Sequence, residues 1–130
     1  MATIFTKIIH GEIPSYKIAE NEEFYAFLDI FPIAKGHTLV VPKAEIDYIF
    51  DLDEAMLGRM MVFAKQVAKA LKIAVPCKKI GIAVIGLEVN HAHIHLVPVN
   101  EIGDLNFEKT KLKLAEDEFK TIQEAVKTNL

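Results

Sequence analysis

The sequence predicts an α+β domain: short antiparallel strands carrying one long helix, with a second helix at the C-terminus. Three observations lead there. Short apolar or alternating runs recur along the chain, and two pairs of them, 16–19 with 24–30 and 79–85 with the run that follows residue 90, are joined by short turns, as in antiparallel hairpins. Residues 52–72 instead repeat their apolar side chains at helical spacing, and a shorter repeat of the same kind closes the chain. With 130 residues, 52% of them hydrophobic and 25% charged, the chain reads as a single domain, 1–130, large enough for a substantial core.

Each element has its own signal. Ile4, Phe5, Ile8 and Ile9 form a short helical face that Gly11 and Pro14 stop. Residues 16–19 and 24–30 read as strands around the turn Glu20-Asn21-Glu22. Asp29 ends the second of them, and its reading as a turn carboxylate stands level with a ligand role. A loop through Pro32 and Gly36 leads to a mostly apolar third strand, residues 37–42, expected at the sheet centre. His37 enters that strand from the glycine turn, where a lone histidine is more often structural.

Asp51, with Glu54 three residues on, resembles a capping box for the long helix. Leu52, Met56, Met60, Phe63, Val67 and Leu71 are its sheet-facing stripe, with the methionines as core filler. Cys77, lacking an activating neighbour in sequence, reads as a small buried hydrophobe. Residues 79–85 form a fourth strand, and Gly86-Leu87-Glu88-Val89-Asn90 is a short loop into the next one. A polar loop follows at 100–104. Ala115, Phe119, Ile122 and Val126 then mark a final amphipathic helix, with Glu116, Asp117 and Glu118 placed to suit its dipole.

Composition excludes several functions. Net charge is −3 and no basic cluster appears, which argues against nucleic acid as the main partner but leaves a small anion possible. No apolar run reaches about 18 residues and no leader pattern is visible, so neither a membrane partner nor secretion is expected. The single cysteine rules out an intrachain disulfide and fits a reducing cytoplasm.

The chemistry concentrates in His91-Ala92-His93-Ile94-His95-Leu96-Val97-Pro98. On a strand, alternation places the three imidazoles on one face and Ala92, Ile94 and Leu96 in the core. Such a row suits a transition metal or a phosphate, and its bland alternative is three surface histidines without a role. A strand separates His91 from His95 by roughly 13 Å, so one ion cannot take all three without strain, whereas a phosphate chain is extended. Neutral imidazole is also a competent nucleophile toward phosphorus.

That stretch resembles the signature of the histidine-triad (HIT) nucleotide hydrolases and transferases, three histidines alternating with apolar residues. Three further blocks resemble the same family in order: residues 5–14 (FTKIIHGEIP), 26–30 (AFLDI) and 37–43 (HTLVVPK). The resemblance covers about the first three quarters of the chain. It implies a HIT-like fold, an antiparallel sheet carrying a long helix, with pairing into a homodimer that joins two sheets. It implies that His93 attacks the α-phosphate of a purine nucleotide conjugate to form a nucleotidyl-histidine that water resolves. His91 and His95 would hold phosphate oxygens, with His37 as a fourth imidazole. Ile4, Phe5, Ile8, Phe27 and Ile30 match the purine pocket, and Asp29 the carboxylate that takes the ribose hydroxyls. A carbonyl on the other ring nitrogen of His93 would keep the attacking nitrogen free. No cofactor is expected.

Two departures stand out. The family's Cys-x-x-Cys and following histidine, which hold a structural zinc in many members, are Thr3, Thr6 and Glu45 here, so no metal is expected. The phosphate-contacting loop, often Gly-Gln-Ser/Thr in the family, is Gly86-Leu87-Glu88, leading into Val89, and a carboxylate at Glu88 opposes an anion. That departure keeps a second function open, a non-catalytic nucleotide-binding sensor. A third reading is a metal protein using two histidines of the row.

Overall fold

The computed structural model describes residues 2–130. Five strands form one sheet in the order β1-β2-β3-β5-β4, with every neighbouring pair antiparallel. The strands are β1 (Lys17–Glu20), β2 (Phe24–Leu28), β3 (Thr38–Pro42), β4 (Lys79–Ala83) and β5 (Ile94–Val99), and the helices are α1 (Ile4–Ile9), α2 (Glu54–Ala74) and α3 (Glu116–Thr128). The predicted α+β class and the central place of β3 hold.

Alternation along the strands makes two apolar layers. Phe24, Ala26 and Leu28 of β2, Val40 of β3 and Ile94 and Leu96 of β5 join the larger core beneath α2 and α3. Met60, Phe63, Val67 and Leu71 meet them from α2, as their helical spacing requires. Tyr25, Phe27, Leu39 and Val41 point the other way, into a smaller cluster closed by Phe5 and Ile8 of α1. Leu39 pairs with His95 across the ladder, so His95 belongs to this second face. The histidine face of the sheet is therefore the one on which α1 packs.

Local chemistry moves several predicted features. Asp53, not Asp51, caps α2, its carboxylate accepting from the Met56 amide at 2.8 Å. Asp51 instead ends a single 3-10 turn, because Leu52 must first swing into the core with extended backbone, 5% exposed, before the helix can start. Cys77 is half-buried, since the connection after Pro76 runs along the surface. Met56 is half-buried at the edge of the core, and Met60 is its methionine filler.

The largest correction concerns the histidine row. The strand begins only at Ile94, so His91 and His93 precede it. β4 ends at Ala83, opposite His95, and no strand extends to pair with the residues before Ile94 on that side. Residues 84–93 form a long unpaired connection, where a short hairpin loop was expected. Gly86 in this connection adopts φ +74°, a conformation that favours glycine. The row is also not a half-exposed face: His91, His93 and His95 are 0%, 5% and 9% exposed. The C-terminal helix appears as predicted, with the Glu118 carboxylate accepting from the Ala115 amide.

Candidate functional site

Three histidines of the sequence motif and His37 are all buried, and each is held by a different kind of partner. His91 donates from Nε2 to the Pro42 carbonyl at 2.7 Å. Its Nδ1 must then accept, and the Thr3 hydroxyl donates to it at 2.7 Å. His93 donates from Nδ1 to the His91 carbonyl at 2.7 Å, which leaves Nε2 carrying the lone pair. The carbonyl that the tautomer argument called for is thus that of the preceding histidine. The edge of Phe5 packs against both rings, with centroids 5.6 Å from His91 and 5.0 Å from His93.

His37 and His95 form a directed chain. The Ile33 amide donates to His37 Nδ1 at 3.1 Å, so His37 Nε2 carries the proton and donates to His95 Nδ1 at 2.9 Å. His95 consequently keeps its own proton on Nε2. Both rings are held neutral. Burial, then Lys111, then His93 push His37 down to about 4. Burial, reinforced by His93 and His37, pushes His95 down to about 3. His91 is also lowered, again chiefly by burial, against the opposing pull of the Pro42 carbonyl. Asp29 Oδ2 lies 3.6 Å from His37 Nε2, while Oδ1 accepts from the Phe31 amide at 2.8 Å, so Asp29 is a turn carboxylate and a neighbour of the site at once.

A hollow of about 140 Å³ opens among these groups, lined by Asp29, His37, His93 and His95, by residues 85–88 of the connection, and by Phe31, Phe107 and Lys111. It therefore gathers Asp29, Gly86, Leu87 and Glu88 with the imidazoles, as their sequence positions implied. Val89 lies behind it, half-buried against the α1 cluster. The five apolar side chains matched to a purine pocket divide: Phe5, Ile8 and Phe27 build the buried wall next to His93, whereas Ile4 and Ile30 are 49% and 53% exposed. Phe107 and Lys111 had no role in the sequence reading. Nothing local marks them, since they are brought here by chain that contacts the site only after folding.

A larger hollow of about 630 Å³ lies on the other side of residues 85–87, between Tyr48, Phe50, Leu57 and Met61 on one side and Ile82 of β4 and Val84 beyond it on the other. Its lining has none of the histidines, which border the smaller hollow.

The positions matched to zinc ligands do converge, but as a hydrogen-bond network: the Thr3 amide donates to Glu45 at 3.1 Å, and the Thr3 and Thr6 hydroxyls stand 3.2 Å apart. These bonds hold the Glu45 carboxyl below its usual range, the Thr6 hydroxyl contributing most. Two hydroxyls already committed to neighbours do not replace two thiolates, so the group does not fit a structural zinc. Asp29, His37 and His95 place ligand atoms within 4.8 Å of one another. An ion there would have to displace the His37–His95 hydrogen bond.

Comparison with known proteins agrees with the geometry. The HIT domain model matches residues 10–102. An uncharacterized HIT-like protein of Mycoplasma genitalium is 39% identical over 132 residues, covering 94% of this chain and 92% of that protein. The adenosine 5'-monophosphoramidase HNT1 of Saccharomyces cerevisiae is 42% identical over 98 residues, 75% of this chain and 62% of the yeast protein. Among solved structures, a Hit-like protein from Bartonella henselae superposes with a TM-score of 0.85 at 28% identity, covering 98% of this chain and 96% of its own.

Proposed function

The chain belongs to the histidine-triad family, and from that premise we propose that it hydrolyses a purine nucleotide conjugate at the α-phosphate through a nucleotidyl-histidine. The substrate class is a nucleoside phosphoramidate or a dinucleoside polyphosphate. The observation that carries this reading is the His93 Nδ1 bond to the His91 carbonyl, which leaves Nε2 as a free nucleophile beside the hollow. The yeast phosphoramidase supports the first of the two substrate classes.

In the first step His93 Nε2 bonds to phosphorus as the bond to the leaving group breaks; a leaving amine takes its proton from water, and a leaving nucleoside phosphate departs as the anion. In the second, water or the hydroxide left behind attacks phosphorus, the P–N bond to His93 breaks, and the nucleoside monophosphate departs. His95, with Nδ1 already accepting from His37, offers Nε2–H as a hydrogen bond to a phosphate oxygen. It acts by stabilising charge and not as a charged acid, because its imidazolium form is disfavoured at neutral pH. The Phe5–Phe27 wall takes the base and Asp29 the ribose hydroxyls.

Incubation with adenosine 5'-phosphoramidate should give AMP and a nucleotidyl-protein that survives alkali and is lost in acid. His93→Ala should abolish both. Full turnover by that variant would sink the proposal. Leu87, 86% exposed at the rim, and Glu88 beside it favour the alternative of a binding protein, which tight AMP binding without turnover of either substrate class would establish. We further propose that a second copy covers the apolar β4 edge, where Ile82, Val84 and Ile85 stand 46%, 41% and 48% exposed, giving the homodimer that the resemblance implies. No described helix is long and apolar enough to cross a membrane, and the compartment we assign, a reducing cytoplasm, rests on the single cysteine.

A further inference from the structure

Burial keeps His37 and His95 from supplying a fixed positive charge to an anion in the hollow. His37 and His95 are neutral, and the other titratable groups lining the hollow include two carboxyl side chains, Asp29 and Glu88. A phosphate brought among them meets hydrogen-bond donors but net repulsion. Among the described residues, the one lysine or arginine lining the hollow is Lys111.

Lys111 comes from outside the matched HIT domain, which ends at residue 102. Residues 105–115 have no regular structure, yet they are tied down across the site. The Leu112 amide donates to the Pro32 carbonyl at 2.8 Å, just before the His37 turn. The Phe107 ring packs on His95 at 4.6 Å and on His37 at 6.0 Å. Lys111 Nζ donates to the Phe107 carbonyl at 2.6 Å, which fixes the half-buried ammonium at the rim and leaves two of its three protons for another acceptor.

We propose that Lys111 is a substrate-binding residue that takes the phosphate oxygens of the nucleotide, supplied to the triad by the Phe107–Lys111 strap rather than by the HIT domain itself. The proposal rests on reading the hollow as a nucleotide site. It differs from a purely structural role for Lys111 in what it predicts for a ligand without phosphate. A charge-assisted contact acts on AMP and not on adenosine, whereas loss of a tie to Phe107 would loosen the pocket for both.

The test is calorimetric binding of AMP and adenosine to the wild type, Lys111→Met and Lys111→Arg. The methionine variant should bind AMP about tenfold or more weakly while adenosine changes less than twofold, and arginine should restore most of the AMP affinity. Equal losses for the two ligands, or AMP affinity within twofold of wild type, would overturn the assignment. So would a wild type that binds AMP no better than adenosine. Should Lys111→Met prove unstable, arginine carries the test: the charge role predicts AMP selectivity retained, and its collapse counts against the proposal. A wild type that shows this AMP-specific dependence but forms no nucleotidyl-protein would defeat the hydrolase reading while leaving Lys111 in place.

Discussion

Thr3 satisfies the Nδ1 lone pair of His91, whose tautomer the Pro42 carbonyl sets, and it serves a second purpose by capping α1, its hydroxyl accepting from the Thr6 amide at 3.1 Å. His91 is fully buried, so loss of its donor leaves an unsatisfied ring nitrogen. Thr3→Val should therefore cost about 1–3 kcal/mol in urea denaturation, with Thr3→Ser recovering most of it. That His93 and His95 share one hollow was legible at this scale, because alternation points them the same way. Their partners were not. Thr3 lies 88 positions from His91 and His37 lies 58 from His95, so no local pattern links them. Lys111 was hidden for the same reason, an unremarkable lysine until the strap folds over His95.

Elements were more readable than their ends. The strands came from alternation and the long helix from its stripe, both set by which side chains must leave water. The start of α2 was misplaced because two carboxylates compete for it and only packing decides: once Leu52 is buried, Asp53 is the first residue whose side chain can reach an amide of the opening turn. Asp53→Ala should lower stability by about 1 kcal/mol. Asp51→Ala should be near neutral, and a comparison of the two denaturation midpoints separates them. The early end of β4 escaped the sequence as well. Val84 and Ile85 carry strand-forming side chains, but the ladder to β5 stops with Ala83 opposite His95, and the chain beyond turns at Gly86 with φ +74°.

For the whole molecule, the buried neutral histidines make stability depend on pH. His37, His91 and His95 all have folded values below the ordinary 6.5, so between the folded and unfolded values the unfolded chain binds more protons. Stability is complete above about pH 6.5 and falls as the pH drops toward 4 and then 3. Glu20, Glu23, Glu45 and Asp104 are also lowered, but they lose their contribution only below the ordinary carboxylate range, near 4. A comparison of thermal midpoints at pH 7 and pH 5 thus isolates the histidines. The wild type should melt lower at pH 5, and His37→Gln should narrow the difference. An unchanged midpoint between these pH values would show that the rings accept protons without cost. The fold class and face assignment at this scale were legible because alternation sorts every strand into the same two layers. The depth of burial was not, since it depends on α1 and the strap closing over a face that the strand pattern leaves open.

The connection between β4 and β5 borders both hollows: Ile85, Gly86 and Leu87 line the apolar depression at the sheet edge and also the pocket that holds His93. One short backbone segment is thus a shared boundary between the surface assigned to a second copy and the surface assigned to the nucleotide. Two ligands that settle the same segment cannot be energetically independent, and the coupling has to be mutual. On the two proposals above, filling the pocket would change the tendency to self-associate by the same factor that self-association would change the affinity of the pocket. Leu87, which in the sequence stands only as a departure from the family loop, borders both surfaces and would then be the place where subunit number and ligand occupancy are exchanged.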